Sequence, residues 1–370
     1  MSDLELLAEL LATARAAGAD AADALLVAGT SLSVSRRLGR TEHLERSEGR
    51  DLGLRVFLGR RSAIVSSTAT DPGGFRLLAE RAVAMARVVP EDPFAGLEPP
   101  QPAAPAAPLD LEDPAEPGAD ALLERAAAAE EAVRAVPGIT NTEGAEAGFG
   151  RTAIALASSL GFAGAYVRTS HSVSATALAG SGTDMQRDYD FSTAVHLADL
   201  EDAAAVGRRA AERALARLRP QRPATARLPV VFDPRVAGSL LGHLAGAING
   251  AAVARGTSFL KDRLGQRLFP AGLFVHDDPR RVRGLRSRPF DGEGTPTAPR
   301  AFIEDGVLTG WVLDGRSARQ LGMASTGHAS RGTGSLVRYA RSIAAPTIVI
   351  HGTADPMVRP RNGRSRARAI

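Results

Sequence analysis

The chain has 370 residues and no cysteine. That excludes a disulfide framework, and it excludes a thiolate as nucleophile or metal ligand. Lysine is nearly missing. Lys261 is the one lysine, and arginine supplies the rest of the 45 basic residues. Aromatic residues make up 4% of the chain, so Ala, Leu, Val and Ile must fill the core. No run of 18 apolar residues occurs, so no stretch is long enough to cross a bilayer as a helix. The N-terminus lacks the basic start and apolar run of a secretory signal. These absences predict a cytoplasmic protein with no membrane segment. The pI near 10.2 rests on a net charge of only +4. No basic face with interleaved aromatics accompanies it, so nucleic-acid binding is not expected.

What is present reads as a globular chain of two or three domains: 44% hydrophobic and 23% charged residues are ordinary for a soluble fold. Ser2-Asp-Leu-Glu5 is a capping-box pattern, and Leu4, Leu7 and Leu11 follow on one helical face. Ala24 to Ala28 is an apolar run, and Ser31 to Ser35 alternates. The runs Leu52 to Leu58 and Ser62 to Ser66 flank Gly59-Arg60-Arg61 and predict a hairpin. A helix is expected over 74–87. Nine prolines between Pro90 and Pro117 then exclude helix and central strand, and predict an extended connector over 90–118. An Ala/Glu-rich helix is expected over 119–136, strands over 152–158, 164–169, 172–178 and 189–196, and a further helix over 201–218. Leu228-Pro-Val-Val-Phe232 reads as a short strand. Asp233-Pro234 reads as an N-cap with proline in the first helical turn, opening a helix that carries His243. In Phe302 to Leu308, Asp305-Gly306 supplies a type I′ hairpin turn.

Three stretches carry a family resemblance: Glu45-Arg-Ser-Glu-Gly-Arg-Asp-Leu-Gly-Leu-Arg-Val-Phe57, Arg255-Gly-Thr-Ser-Phe-Leu-Lys-Asp-Arg-Leu-Gly-Gln266, and Pro289-Phe-Asp-Gly-Glu-Gly-Thr-Pro-Thr297 continuing to Ser325-Thr-Gly-His328. Their order and spacing resemble the TldD/PmbA family, also called modulators of DNA gyrase, and its PmbA (TldE) branch in particular, over about residues 1 to 330. The resemblance implies an α+β fold, with an N-terminal helix and antiparallel-sheet domain over 1–224 and a truncated, mostly-β C-terminal domain over 225–334. It also implies a cytoplasmic heterodimeric zinc metallopeptidase that cleaves unfolded peptides, in which a TldD-like partner carries the zinc. The zinc-bearing branch holds an H-E-x-x-x-H helix and a cysteine ligand. Here His243 keeps the first histidine, Leu244 stands at the glutamate position and Ile248 at the second histidine. Leucine takes no proton from water, and isoleucine binds no metal. No catalytic residue, no metal ligand set and no cofactor are therefore expected on this chain. The candidates for lining the peptide cleft are His243, Asp291, Glu293, Thr326 and His328. A peptide-binding scaffold without a protease partner is the rival expectation.

After about Gly334 the likeness to the family ends. Residues 335–370 form a third expected segment, in which Ala345-Pro-Thr-Ile-Val-Ile-His-Gly-Thr-Ala-Asp-Pro-Met-Val358 resembles the late strand and acid loop of an α/β-hydrolase. Asp355 matches the acid that would orient a histidine. No Gly-x-Ser-x-Gly nucleophile elbow exists, and no histidine follows Asp355. The segment is therefore read as a fused unrelated tail. A truncated, nonfunctional fusion product is the expectation that follows if the tail replaces part of the subunit interface.

Overall fold

The computed structural model describes residues 1–102 and 107–333. The expected tail lies outside the described residues.

The first unit is one six-stranded antiparallel sheet, order β3-β2-β1-β4-β5-β6. Its strands are β1 (Ala21–Arg37), β2 (Arg40–Leu58), β3 (Arg61–Ser67), β4 (Ile139–Ser158), β5 (Ala163–Ala179) and β6 (Gln186–Ala194). In chain order, helices α1 (Asp3–Ala16) and α2 (Phe75–Val88) bracket the first three strands, and α3 (Ala119–Arg134) and α4 (Ala203–Ala216) bracket the last three, with α3 also packing on β1. The chain thus runs α-β-β-β-α twice, and the two halves meet where β1 pairs antiparallel with β4. No short-period repeat marks the sequence, yet the strand order is a palindrome.

Alternation along the strands decides what covers each face. Ala22, Ala24 and Leu26 of β1, with Leu52, Leu54 and Val56 of β2, pack under α1 and α2 through Leu7, Leu10, Phe75 and Val83. Further along β1, Leu32 and Val34 meet Leu122 and Ala126 of α3. Ala145, Val173, Ala175 and Ala177 meet the alanine face of α4. All four helices therefore cover one face. Small residues let them lie close to the sheet, as the scarcity of aromatics requires.

The local signals are realised. Ser2 accepts from the Glu5 amide while the Glu5 side chain accepts from the Ser2 amide. The connector carries no helix or strand in its described part. It is held by backbone and side chain: Thr169 N donates to Leu111 O (2.9 Å), and Asp113 N donates to Thr169 Oγ1 (2.9 Å).

The second unit begins near residue 225 and lies against the other face of the sheet. It holds α5 (Pro234–Ala247), α6 (Gly250–Ala254) and α7 (Gly315–Leu321), with a small sheet of β7 (Val275–Asp277), β8 (Arg300–Glu304) and β9 (Val307–Leu308). Ile248, Phe302, Ile303, Leu308, Trp311 and Leu313 form its core. Asp233 caps α5 through the Arg235 amide (2.9 Å), with Pro234 in the first turn. Asp305 and Gly306 both have positive φ (48° and 80°), as a type I′ turn requires. One expectation fails: Leu228 to Phe232 forms no strand. Its apolar, β-branched composition suits a strand, but among the described residues it has no ladder partner. Val231 is 95% exposed.

Candidate functional site

The Asp291–Gly294 turn sits where the second unit meets the sheet, and Asp291 is its hub. Asp291 Oδ1 accepts the amides of Glu293 and Thr295 (2.9 Å each), and Oδ2 accepts the amide of Ala329 (2.9 Å). Burial pushes the Asp291 carboxyl above its ordinary value, against the pull of those amides. Gly294 has φ +82°, and a Cβ there would meet the Phe162 ring at 2.7 Å, so both conformation and packing require glycine.

Beside this turn lies a buried ionic quartet built from distant parts of the chain. Asp23 of β1 faces Arg55 of β2 across the antiparallel register. Arg55 binds both Asp23 oxygens, with Nη2 to Oδ2 at 2.5 Å. Arg331 Nη1 lies 2.7 Å from Asp23 Oδ1, and Glu293 Oε1 lies 3.5 Å from Arg55 Nη1. Glu293 Oε2 also accepts the Gly315 amide at the start of α7 (2.8 Å). None of the four side chains is more than 6% exposed. Desolvation dominates the energetics. It pushes Glu293 up to about 7, with Arg55 opposing and Asp291 adding repulsion. It pushes Arg331 down to about 10. Asp23 is driven up by burial but held below its ordinary value by Arg331 and Arg55. The quartet ties the sheet to the turn and to the 329–331 segment.

The five cleft candidates do not gather in one open cleft. Asp291 (2%) and Glu293 (8%) are buried in the interface between the two units. His328 is buried at 2% in a different contact: Nε2 is 2.9 Å from Asp277 Oδ2, Nδ1 is 3.0 Å from Thr326 Oγ1, and its ring meets Phe302 edge-on. Thr326 is half-buried and accepts the Leu313 amide (2.8 Å). His243 is exposed on α5, a helix with only Ala247 buried. Ile248 is 0% exposed in the core of the second unit. Five residues turn a helix by about 140° from its starting face, so positions 243 and 248 point differently. Among the described residues, no group of three or more His, Cys, Asp or Glu side chains is placed to hold a metal ion. The donor set on α5 does not fit zinc.

Sequence reasoning missed Asp23, Arg55 and Arg331. Single charges inside otherwise apolar strands, Asp23 in Ala21–Ala28 and Arg55 in Leu52–Leu58, were the available signal.

Sequence profiles of the PmbA/TldA metallopeptidase match three parts of the chain: domain 1 over residues 22–86, the central domain over 112–218 and the C-terminal domain over 225–355. The first two matches fall on the two halves of the six-stranded sheet, and the third crosses the boundary expected near Gly334. The chain is 39% identical over 312 residues to the metalloprotease PmbA of Escherichia coli O157:H7, covering 84% of this chain and 69% of that protein. It is 32% identical over 302 residues to the PmbA homolog of Haemophilus influenzae, covering 81% and 67%. A Bacteroides thetaiotaomicron structure described as a modulator of DNA gyrase superposes with TM-score 0.82 at 25% identity, over 87% of this chain and 75% of that one. TldE of Thermococcus kodakarensis shares the fold with TM-score 0.76 at 18% identity, over 90% and 76%. This chain belongs to the PmbA/TldD metallopeptidase family.

Proposed function

We propose that this chain is the non-catalytic, PmbA/TldE-like subunit of a two-subunit zinc metallopeptidase acting on unfolded peptides. It works in the cytoplasm beside a TldD-like subunit that carries the metal. The observation that carries this reading is the chemistry of α5. Leu244 has no lone pair to accept a proton from water. Ile248 has no donor atom and its side chain is fully buried. His243 stands alone, and one imidazole does not make a zinc site.

A surface beside α5 supports the need for a partner. Leu228 (67%), Val230 (70%), Val231 (95%), Val236 (52%) and Leu240 (44%) are exposed close together in sequence. Large apolar side chains left exposed over so short a stretch suit an interaction face. In this reading the turn at Asp291 and Glu293, and the Thr326 to His328 segment, brace the wall of the peptide chamber from behind. His243 faces the chamber from α5.

The test is co-expression with a zinc-bearing TldD-like subunit, followed by cleavage assays on an unfolded peptide with and without a chelator. The complex should cleave in a chelator-sensitive way, and this chain alone should be inert. Failure of the two chains to associate, or cleavage by this chain alone, would sink the reading.

A further inference from the structure

One edge of the six-stranded sheet is left open. β3 pairs with β2 only from Leu52 to Leu58. The rest of β2, Arg40 to Asp51, has β1 on one side, and every residue of it is exposed. The pairing with β1 slips once, between Ser35 and Arg36, so Glu42 bulges and the ladder is regular from His43 onward. Nine residues, His43 to Asp51, thus form a regular free edge between a bulge and the start of β3. Among the described residues, their backbone hydrogen-bonds to β1 alone. Unpaired N–H and C=O groups along a strand are a template for another strand. Proline, a bulge or short length would block such an edge. None of these interrupts His43 to Asp51.

The residues of the edge select the strand that fits it. When two copies of one strand pair antiparallel about a two-fold axis normal to the sheet, facing residues lie on the same face at equal distances from the axis. With the axis at Ser47, Arg46 faces Glu48, His43 faces Asp51, Glu45 faces Gly49 and Leu44 faces Arg50. No like charges meet, and the whole free edge pairs. With the axis one residue earlier, Arg46 faces itself. With the axis one residue later, Glu48 faces itself, Arg46 faces Arg50 and Glu45 faces Asp51. Like charges directly opposite are destabilising. The register the charges favour also centres the free edge, since Ser47 is the midpoint of 43–51. In that register the bulge at Glu42 falls beside the start of the other copy's β3, and a bulge bends a strand and ends its pairing. The backbone supplies the contact, and the charges only select its register. Arg46 and Glu48 already touch along their own strand at 2.6 Å, but both side chains stay more than half exposed and can reach a second copy.

We propose that two copies of this chain join β2 to β2 about Ser47 and so continue one sheet through both. The apolar surface beside α5 lies at the other end of the strand order, where Arg235 of α5 donates to the Tyr189 carbonyl of β6. That surface stays open to a different subunit.

The absence of cysteine allows a direct test on the full chain alone, without partner or metal. Facing Cα atoms of an antiparallel pair lie about 4.5–5.5 Å apart, within reach of a disulfide. Ser47→Cys should therefore form a disulfide-linked dimer under mild oxidation, and Glu45→Cys, off the axis, should not. Sedimentation of the parent chain should show a dimer at raised concentration. Arg46→Glu should weaken that dimer about tenfold, as should Glu48→Arg, and the two changes together should restore it. Thermal melts check that each variant folds. A parent chain that stays monomeric at every concentration overturns the proposal. So does a dimer that Arg46→Glu leaves intact, or cross-linking as fast from position 45 as from position 47.

Discussion

Replacing Glu293 by Gln should make the protein more stable at alkaline pH. Glu293 is buried between Arg55 and the Asp291 turn, and its pKa rises from the ordinary 4.5 to about 7. A carboxyl raised in the folded state binds its proton more tightly there than in the unfolded chain. Its contribution is fully present below pH 4.5 and is lost as pH rises through about 7. At about 1.4 kcal/mol per unit, the loss across that window is about 3 kcal/mol. Glutamine keeps the acceptor for the Gly315 amide and has no proton to lose. The variant should therefore match the parent to within about 1 kcal/mol at pH 5 and exceed it by about 3 kcal/mol at pH 8. Asp23 is shifted downward, so its own pH dependence falls below its ordinary 3.8 and stays out of this range. Denaturant unfolding of both proteins at half-unit steps from pH 5 to 8 measures the difference. A flat difference would show that burial does not control this carboxyl. A variant less stable at pH 8 would show that the Arg55 ion pair outweighs desolvation, and the reasoning would be wrong in sign.

Other outcomes follow from the same geometry. Ile248→His, which restores one residue of the zinc pattern, should cost about 3 kcal/mol or more in an unfolding titration, because it puts an imidazole into a fully buried apolar site. It should bring no zinc. Gly306→Ala should cost more than about 1 kcal/mol, since φ is +80° and the new Cβ would lie 2.2 Å from the Phe269 carbonyl oxygen; thermal melts check this. Val231→Asp should change stability by less than about 0.5 kcal/mol at a site 95% exposed, yet weaken association with the zinc-bearing subunit in a pull-down. Asp233→Ala should cost about 1 kcal/mol through loss of the α5 cap, read by the same melts.

The parts of the fold legible in the sequence were those fixed by neighbouring residues. The Ser2 capping box, the Asp233-Pro234 helix start and the Asp305-Gly306 turn each depend on a few adjacent side chains, and each is in place. Strand lengths were less legible. Arg40 to Asp51 is rich in charge and exposed, so it carries no alternation, yet it pairs along β1 from Arg37 to Val27. Ile139 to Arg151 is rich in Gly, Thr and Glu, and becomes strand because β5 pairs along it and β1 flanks it on the other side from Ala145 onward. Leu228 to Phe232 shows the converse: strand-like composition without a partner among the described residues. The ionic quartet was hidden for another reason. Asp23 and Arg331 are separated by most of the chain, and only the docking of the second unit on the sheet brings them together. The chemistry of α5, by contrast, was legible from residue types alone, because Leu244 and Ile248 cannot act as base or ligand in any conformation.

With Leu244 and Ile248 on or beside α5 and no cysteine, this chain has no means of completing a zinc site by itself. Emission spectrometry of the purified chain, refolded with excess zinc and then dialysed, measures whether it holds the metal. Far less than one bound zinc per chain is expected, with no difference between the parent and His243→Ala. One tightly held zinc per parent chain, lost in His243→Ala, would contradict it.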